Sequence, residues 1–391
     1  GDDALLLNTT GANNVAVGYR ALDANTTSSN NTAVGKDALT ANTTGTAGTA
    51  VGKGALASNT TGTDNTGLGA LALNATTTGA LNVAVGRSAL QSNTTGGSNV
   101  AVGYNAAINV TTGTENVAVG MAALDNSDVG SFNTAIGKSA LGNDTKGSRN
   151  TAVGNSALQT QNFTSATNSY NTAMGFNAGT AVTTGTSCTL IGGLAGDSIT
   201  TGSFATYIGQ EAGGATTTGT YNTFIGTGTI AGTGNFGAGS LVTTGSKNAF
   251  LGGYNGNQNG LDLRTASNNI VLSDGDGTPF YWGRSSGTHV HSTVTAAATA
   301  FAVGINSTNA SSQIIRAANA CSNMNDFGAT QFVVFGTGNV QNINNSYAAI
   351  SDLKLKENIA DAASQWDDIK AITVRKYSLK TENSDSPTQI G

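Results

Sequence analysis

Four residues in the C-terminal part of this 391-residue sequence have types and spacing that could do chemistry. Ser351 stands five residues before Lys356 in Ser351-Asp352-Leu353-Lys354-Leu355-Lys356. A serine hydroxyl is a weak nucleophile until a base takes its proton. A lysine amine is that base only when burial or neighbouring cations hold it neutral. A turn leading into a short helix would let the two meet, since positions four or five apart lie near one face. Attack on the adjoining peptide bond would cut the chain at Ile350-Ser351. By spacing alone the plainer reading is that Ser351-Asp352 caps a helix running through Asn358, with the lysines exposed. The two readings are compatible, because a capping Ser can also be a nucleophile. The second pair is His289 and His291, the only histidines of the chain. Two His at i and i+2 of a strand face one way. Around a threefold axis their imidazoles would surround an axial transition metal; otherwise they are an exposed strand pair.

The elements that must position these residues begin with a repeat. A Gly following a branched or apolar residue recurs from Gly18 to Gly154 in steps of 17. After a four-residue insertion the series resumes at Gly175, Gly192, Gly209 and Gly226, and after a nine-residue insertion at Gly252. Fourteen coils therefore run in phase, the signature of a repeat architecture. Before each Gly stands Val17, Val34, Val51 or an equivalent, a β-branched column expected to form the buried strand face. Ala16, Ala33, Ala50 and their equivalents are then expected on the opposite face, where small side chains let another backbone approach. Four residues before the Gly, Asn14, Asn31, Asn65 and Asn82 suit a hydrogen-bonded ladder. Each coil reads as strand, Gly turn, strand, Gly turn, and the stack at about 4.8 Å per coil makes a rod of roughly 65–70 Å. After Gly175 the Ala-Leu pair of the early coils becomes Ala178-Gly179, Ala195-Gly196 and Ala212-Gly213, while the small column swells to Leu190, Tyr207, Phe224 and Phe250.

The fold class expected is an all-β, parallel β-solenoid or β-roll of 17-residue coils over residues 1–260. Residues 261–350 break the period and read as a β-rich tip or collar, with strands around 269–275, 300–305 and 331–336. Each coil buries few apolar side chains, and at about 25 cal/mol per Å2 that barely offsets ordering entropy. Several copies are therefore expected side by side through the Ala face, closed by cyclic symmetry.

Asn-Thr-Ala-Val-Gly-x-x-Ala-Leu resembles the head repeats of trimeric autotransporter adhesins, and is more similar still to repeats in bacteriophage tail fibres. The resemblance covers about residues 11–255 and implies a homotrimer. Ser351-Asp352-Leu353-Lys354-Leu355-Lys356-Glu357-Asn358-Ile359 resembles the opening of the S74 peptidase domain, the intramolecular chaperone of phage tail fibres and tailspikes. That likeness implies a self-cleaving dyad at Ser351 and Lys356. Residues 351–391 would then be the truncated N-terminal part of an α/β chaperone domain, with Ile372 to Leu379 as its first strand after the opening helix. Similar His-x-His patterns occur in some phage fibre needles.

Composition narrows the rest. A net charge of −5 with only 10% charged residues gives no nucleic-acid footprint. No run of about 18 apolar residues is long enough to span a membrane. Cys188 and Cys321 are expected as free, buried or part-buried thiols. Ser273-Asp274-Gly275-Asp276-Gly277 lacks the ligand pattern of a calcium loop, and no cofactor is required by any motif. The acids Asp23, Asp37, Asp64, Glu115 and Asp144 are scattered, whereas glycan cleavage needs two carboxylates about 5 to 10 Å apart. The expected function is a structural tail fibre or spike of a virion, extracellular, non-enzymatic in its rod and self-cleaving once. Its expected partners are a host cell-surface glycan or protein and other tail proteins. A bacterial trimeric surface adhesin and a glycan-depolymerising spike are the alternatives.

Overall fold

The computed structural model describes residues 1–230 and 234–284 and, beyond them, the backbone of the strands Gly287–Val290, Gln313–Asn319, Ala329–Phe335, Val340–Asn342, Lys376–Tyr377 and Gln389–Ile390. Among the described residues the chain is all-β and without helices, a parallel β-solenoid of about 15 turns spaced 17 residues apart. Each turn adds one short strand, and the strands stack in register. Ala16 lies beside Ala33, Ala33 beside Ala50, and at the far end Phe224 beside Phe250 and Phe250 beside Val271. The stack thus runs one coil past Gly252, to the strand Asn269–Ser273.

The recurring Gly is dictated by the neighbouring coil. Gly103 sits at φ +141°, and a Cβ there would lie 2.5 Å from the carbonyl oxygen of Gly120 below it. No side chain fits a corner at which consecutive backbones stack at strand spacing.

The second strand of each coil is absent. Where the sequence pattern predicts one, through Ala38-Leu39, the chain turns with Asp37 at φ 56° and Leu39 at φ 51°. Coil-to-coil pairing still continues there, Leu39 N donating to Ala55 O at 3.0 Å. The physical reason is packing. A strand alternates its side chains, whereas these left-handed residues curl the segment so that both Ala38 and Leu39 are fully buried.

The insertions leave the register undisturbed. The nine-residue one is an antiparallel hairpin of Thr227–Ile230 with Gly234–Gly237, and Ile225 still pairs with Leu251 across it. The four-residue one pairs Gly147–Ser148 with Thr167–Asn168, and Val153 still pairs with Met174. The strand Pro279–Arg284 then reverses direction on Asn269–Ser273, and Gly287–Val290 adds to it. This antiparallel addition brings Trp282, which is buried, beside Val271; its Nε1 donates to Asn269 Oδ1 at 3.2 Å. Terminal coils of solenoids need such a cover, since an open last coil would expose core and unpaired backbone.

A second compact unit holds the later strands. In it, Gln313–Asn319, Ala329–Phe335 and Val340–Asn342 form an antiparallel sheet, and Lys376–Tyr377 pairs with Gln389–Ile390.

The core reverses the expected faces. Ala33, Ala50, Ala84 and Ala101 are fully buried inside the coil, whereas Val17, Leu68 and Leu251 are 55%, 46% and 53% exposed. The Ala column therefore offers no face to a second chain. Its smallness serves the coil's own interior, where it meets the Leu column from the other wall: at Gly67, which takes the Ala position, a Cβ would sit 3.5 Å from Leu56 Cγ. The late coils keep the same volume by exchange. Gly213 stands where earlier coils have Leu, and a Cβ there would lie 2.3 Å from the ring of Tyr207, which replaces Ala. Inside this widened end Tyr207, Phe224 and Phe250 stack with centroids 4.9 and 4.7 Å apart, an arrangement that adds to simple burial.

Candidate functional site: the outer strand face

Two columns of each strand point outward, flanking the buried Ala. One runs Val15, Thr32, Thr49, Thr66, Val83 and onward; the other runs Val17, Val34, Val51, Leu68, Val85 and onward. Over the fifteen turns neither column contains a charged residue. The first column is mostly Thr and the second wholly aliphatic, residue types that suit strand geometry and leave an uncharged ladder.

The flanks carry what polarity there is. Immediately after the corner glycines stand Lys36, Lys53, Arg87 and Lys138, with Tyr19 and Tyr104 in the same column. Lys36 Nζ lies 5.6 Å from the Tyr19 ring centre and the Arg87 guanidinium 5.9 Å from that of Tyr104, so cations cover neighbouring rings. On the other flank the residues hold a left-handed turn. There Phe204 and Tyr221 are exposed and stack at 4.7 Å, nearly parallel at 3°, and Arg149 lies 4.7 Å over Phe132.

Inside, polar residues form ladders. Asn82 Nδ2 donates to Asn65 Oδ1 at 3.1 Å, and Asn99 and Asn116 repeat the bond, at 3.2 and 3.1 Å. Each also donates to a turn carbonyl of the following coil, as Asn82 does to Gly96 O at 2.9 Å. The Asn ladder expected from the sequence is thus present, satisfied and buried. Cys188 breaks it; the thiol is free and buried, and burial pushes its pKa up, which makes it inert. In a parallel ladder of Asn25, Asn42 and Asn59, Asp144 takes the same position. Burial pushes its carboxyl pKa up, opposed by hydrogen bonds from Gln161 Nε2 at 2.6 Å and Gly147 N at 2.9 Å.

Ser351 and Lys356 lie outside the described residues, as do His291 and Cys321. The backbone of His289 belongs to the strand Gly287–Val290, opposite Trp282. Among the described residues no group of three or more His, Cys, Asp or Glu is placed to hold a metal. The stretch Ile372 to Leu379 contains the strand Lys376–Tyr377.

Two features escaped the sequence reading. Asp197 and Glu211, from successive coils, are electrostatically coupled: burial pushes the Asp197 carboxyl up and the charge of Glu211 adds to it. The outer apolar face also escaped it, though a signal was present. The outward column varies freely among Val, Leu, Ile and Met, while the inward one is held to Ala, or Gly at Gly67, until the opposite wall shrinks. A crowded interior position tolerates no such variation.

No protein-family model, curated protein or solved structure matches this chain.

Proposed function

We propose that the chain is the shaft of an oligomeric viral tail fibre or spike. It serves host-surface attachment outside the cell and is completed by one self-cleavage at its C-terminal segment. The observation that supports the reading best is the stack itself: about 15 turns that look alike, built around a continuous buried core. Such a stack is a rigid spacer. It also has a folding hazard, because copies can pair one or more coils out of register. A detachable aligning domain answers that hazard, and the resemblance of residues 351–359 to the opening of the S74 domain supplies one. Once the chains are aligned the domain can leave, and the shaft persists by slow unfolding.

In the proposed cleavage Ser351 Oγ attacks the carbonyl carbon of Ile350 while Lys356 takes the hydroxyl proton. The proton passes to the departing amide nitrogen, and water then hydrolyses the ester to leave the Ile350 carboxylate. Ser351→Ala and Lys356→Ala should each leave the precursor at full size on a denaturing gel. A Ser351→Ala precursor still cut at the same place rejects the dyad. Attachment is tested separately by adsorption of purified fibre to host cells, alongside release of reducing sugar; sugar release without stable adsorption would favour a depolymerase. The proposed axial metal at His289 and His291 predicts a stoichiometric transition metal in elemental analysis, lost in His289→Ala/His291→Ala.

A further inference from the structure

Most of the large apolar side chains exposed among the described residues are gathered on one side of the solenoid. They occupy the two outward strand columns and the two flanking positions, as Val17, Leu68, Val102, Ile136, Met174 and Leu251 do in the column before the corner. A face about 15 Å wide, flanks included, along a stack of roughly 65–70 Å has an area on the order of 1,000 Å2, of which the two uncharged strand columns make up about two thirds. Soluble monomers rarely expose contiguous apolar patches above about 300–600 Å2. A standard stable interface needs about 800 Å2 from each partner.

We infer that this outer strand face is the surface through which a second copy of the same chain packs, and that its outward Val, Leu, Ile and Met column is the seam. The inference rests on the oligomeric shaft proposed above and names its interface. Three observations select a copy of the chain as the occupant. The face is periodic, one outward pair of side chains per 17-residue turn, and only another such solenoid presents partners at that pitch along its whole length. The two columns are free of charge throughout, as the centre of a self-interface is, with charges confined to the flanks, at Lys36, Lys53, Arg87 and Lys138 on one and Asp64, Glu115 and Arg149 on the other. The area is sufficient without any further partner. The Ala column, which would otherwise be the natural seam for close packing, is sealed inside the coil.

The test uses the full chain. Val102→Lys/Val119→Lys/Ile136→Lys places three charges in consecutive coils of the seam. Thr78→Lys/Thr95→Lys/Thr112→Lys places the same charge in the exposed column of the other turn. Sedimentation velocity and native mass spectrometry should show an oligomer for the unmodified chain and the Thr variant. The seam variant should be monomeric, with its circular dichroism retained. If the Lys triple fails to fold, Val102→Thr/Val119→Thr/Ile136→Thr keeps strand preference and should shift dissociation to at least tenfold higher protein concentration. Val119→Cys, oxidised, should give a disulfide-linked pair of chains. A monomeric unmodified chain, a seam variant that stays oligomeric, or a Val119→Cys chain that never cross-links would each overturn the proposal. A seam variant that stays oligomeric, or a Val119→Cys chain that never cross-links, rejects this seam and leaves the oligomeric fibre reading standing, whereas a monomeric unmodified chain rejects both.

Discussion

Asp144 is an ionisable residue in a ladder otherwise built of neutral ones. Its pKa is raised on folding, chiefly by burial. The fold is therefore most stable with this carboxyl protonated, and stability is lost as pH rises from the ordinary 3.8 through the raised folded value. Asp144→Asn restores the residue found at Asn25, Asn42 and Asn59: the amide oxygen can accept from Gln161 and the amide nitrogen can face the Gly147 carbonyl. The variant should melt above the unmodified chain at pH 7, and the difference should close as pH falls below 3.8. A difference that does not vary with pH would mean that the carboxyl is not desolvated. Tyr207 makes the complementary case. Its Oη is buried without a hydrogen-bond partner. Thr216 and Asn222 stand beside it and oppose the effect of burial, but neither meets the hydroxyl in hydrogen-bonding geometry: Thr216 Oγ1 donates to Val242 O at 3.1 Å and Asn222 Nδ2 to Gly245 O at 2.7 Å. Burial accordingly pushes the phenol pKa far up. Phe224 and Phe250 occupy the same column without a hydroxyl, so Tyr207→Phe should be neutral or stabilising by up to about 1 kcal/mol in denaturant melts. A loss of stability would reveal a partner for the hydroxyl.

At the scale of the element, the unit is the 17-residue turn. Because each coil contacts only its neighbours, whole coils should be removable and partial ones should not. Deleting residues 70–86 joins Gly69 to Arg87 in the phase that Gly86 had, and the chain should keep its strand signal in circular dichroism. Deleting residues 70–85, one fewer, leaves one extra residue at the crowded Gly69-Gly86 corner, too short to leave the stack as the Thr227–Ile230/Gly234–Gly237 hairpin does; a lower and less cooperative melt is expected. Equal stability of the two deletions would argue against the register. The corner Gly is similarly strict. Gly103→Ala meets the Gly120 carbonyl and should cost about 3 kcal/mol or more, although an Ala differs by one methyl. The repeat and its corner were legible from spacing. The left-handed turns of the second wall were not, since Leu39 or Leu56 at positive φ has no local preference for it and is held there by stacking.

At the scale of the whole molecule, the solenoid is held by backbone ladders and a thin dry core, with little contribution from charge. Among the described residues the ion pairs, such as Arg20–Asp23 and Arg264–Asp262, are exposed or half-exposed. Exposed pairs contribute little and salt screens them. Melting should therefore move little over a roughly tenfold rise in ionic strength. If the seam on the outer face is apolar as inferred, higher salt should leave assembly intact too. Dissociation of the oligomer by salt would instead point to the Lys and Arg flank as the interface.

The sequence by itself determined the repeat, its period, the parallel in-register stack and the Asn ladder, because each is a statement about identical residues recurring at a fixed distance. It also marked Ser351, Lys356, His289 and His291 by type and spacing; what those residues do rests on the proposed chemistry. Which strand face is buried was decided only by tertiary structure. Strand alternation separates Ala from Val and is silent on which of them lies inside. The opposite wall answers that: Leu39 and Leu56 fill the interior from the far side and leave room for Ala alone, so Val goes outward. Where that wall shrinks to Gly179, Gly196 and Gly213, Leu190, Tyr207 and Phe224 grow into the space. The wall that sets this choice lies five to six residues further along the chain and is formed by turns, so alternation within one strand could not reveal it; only the unequal variation of the two columns from coil to coil carried a trace of it.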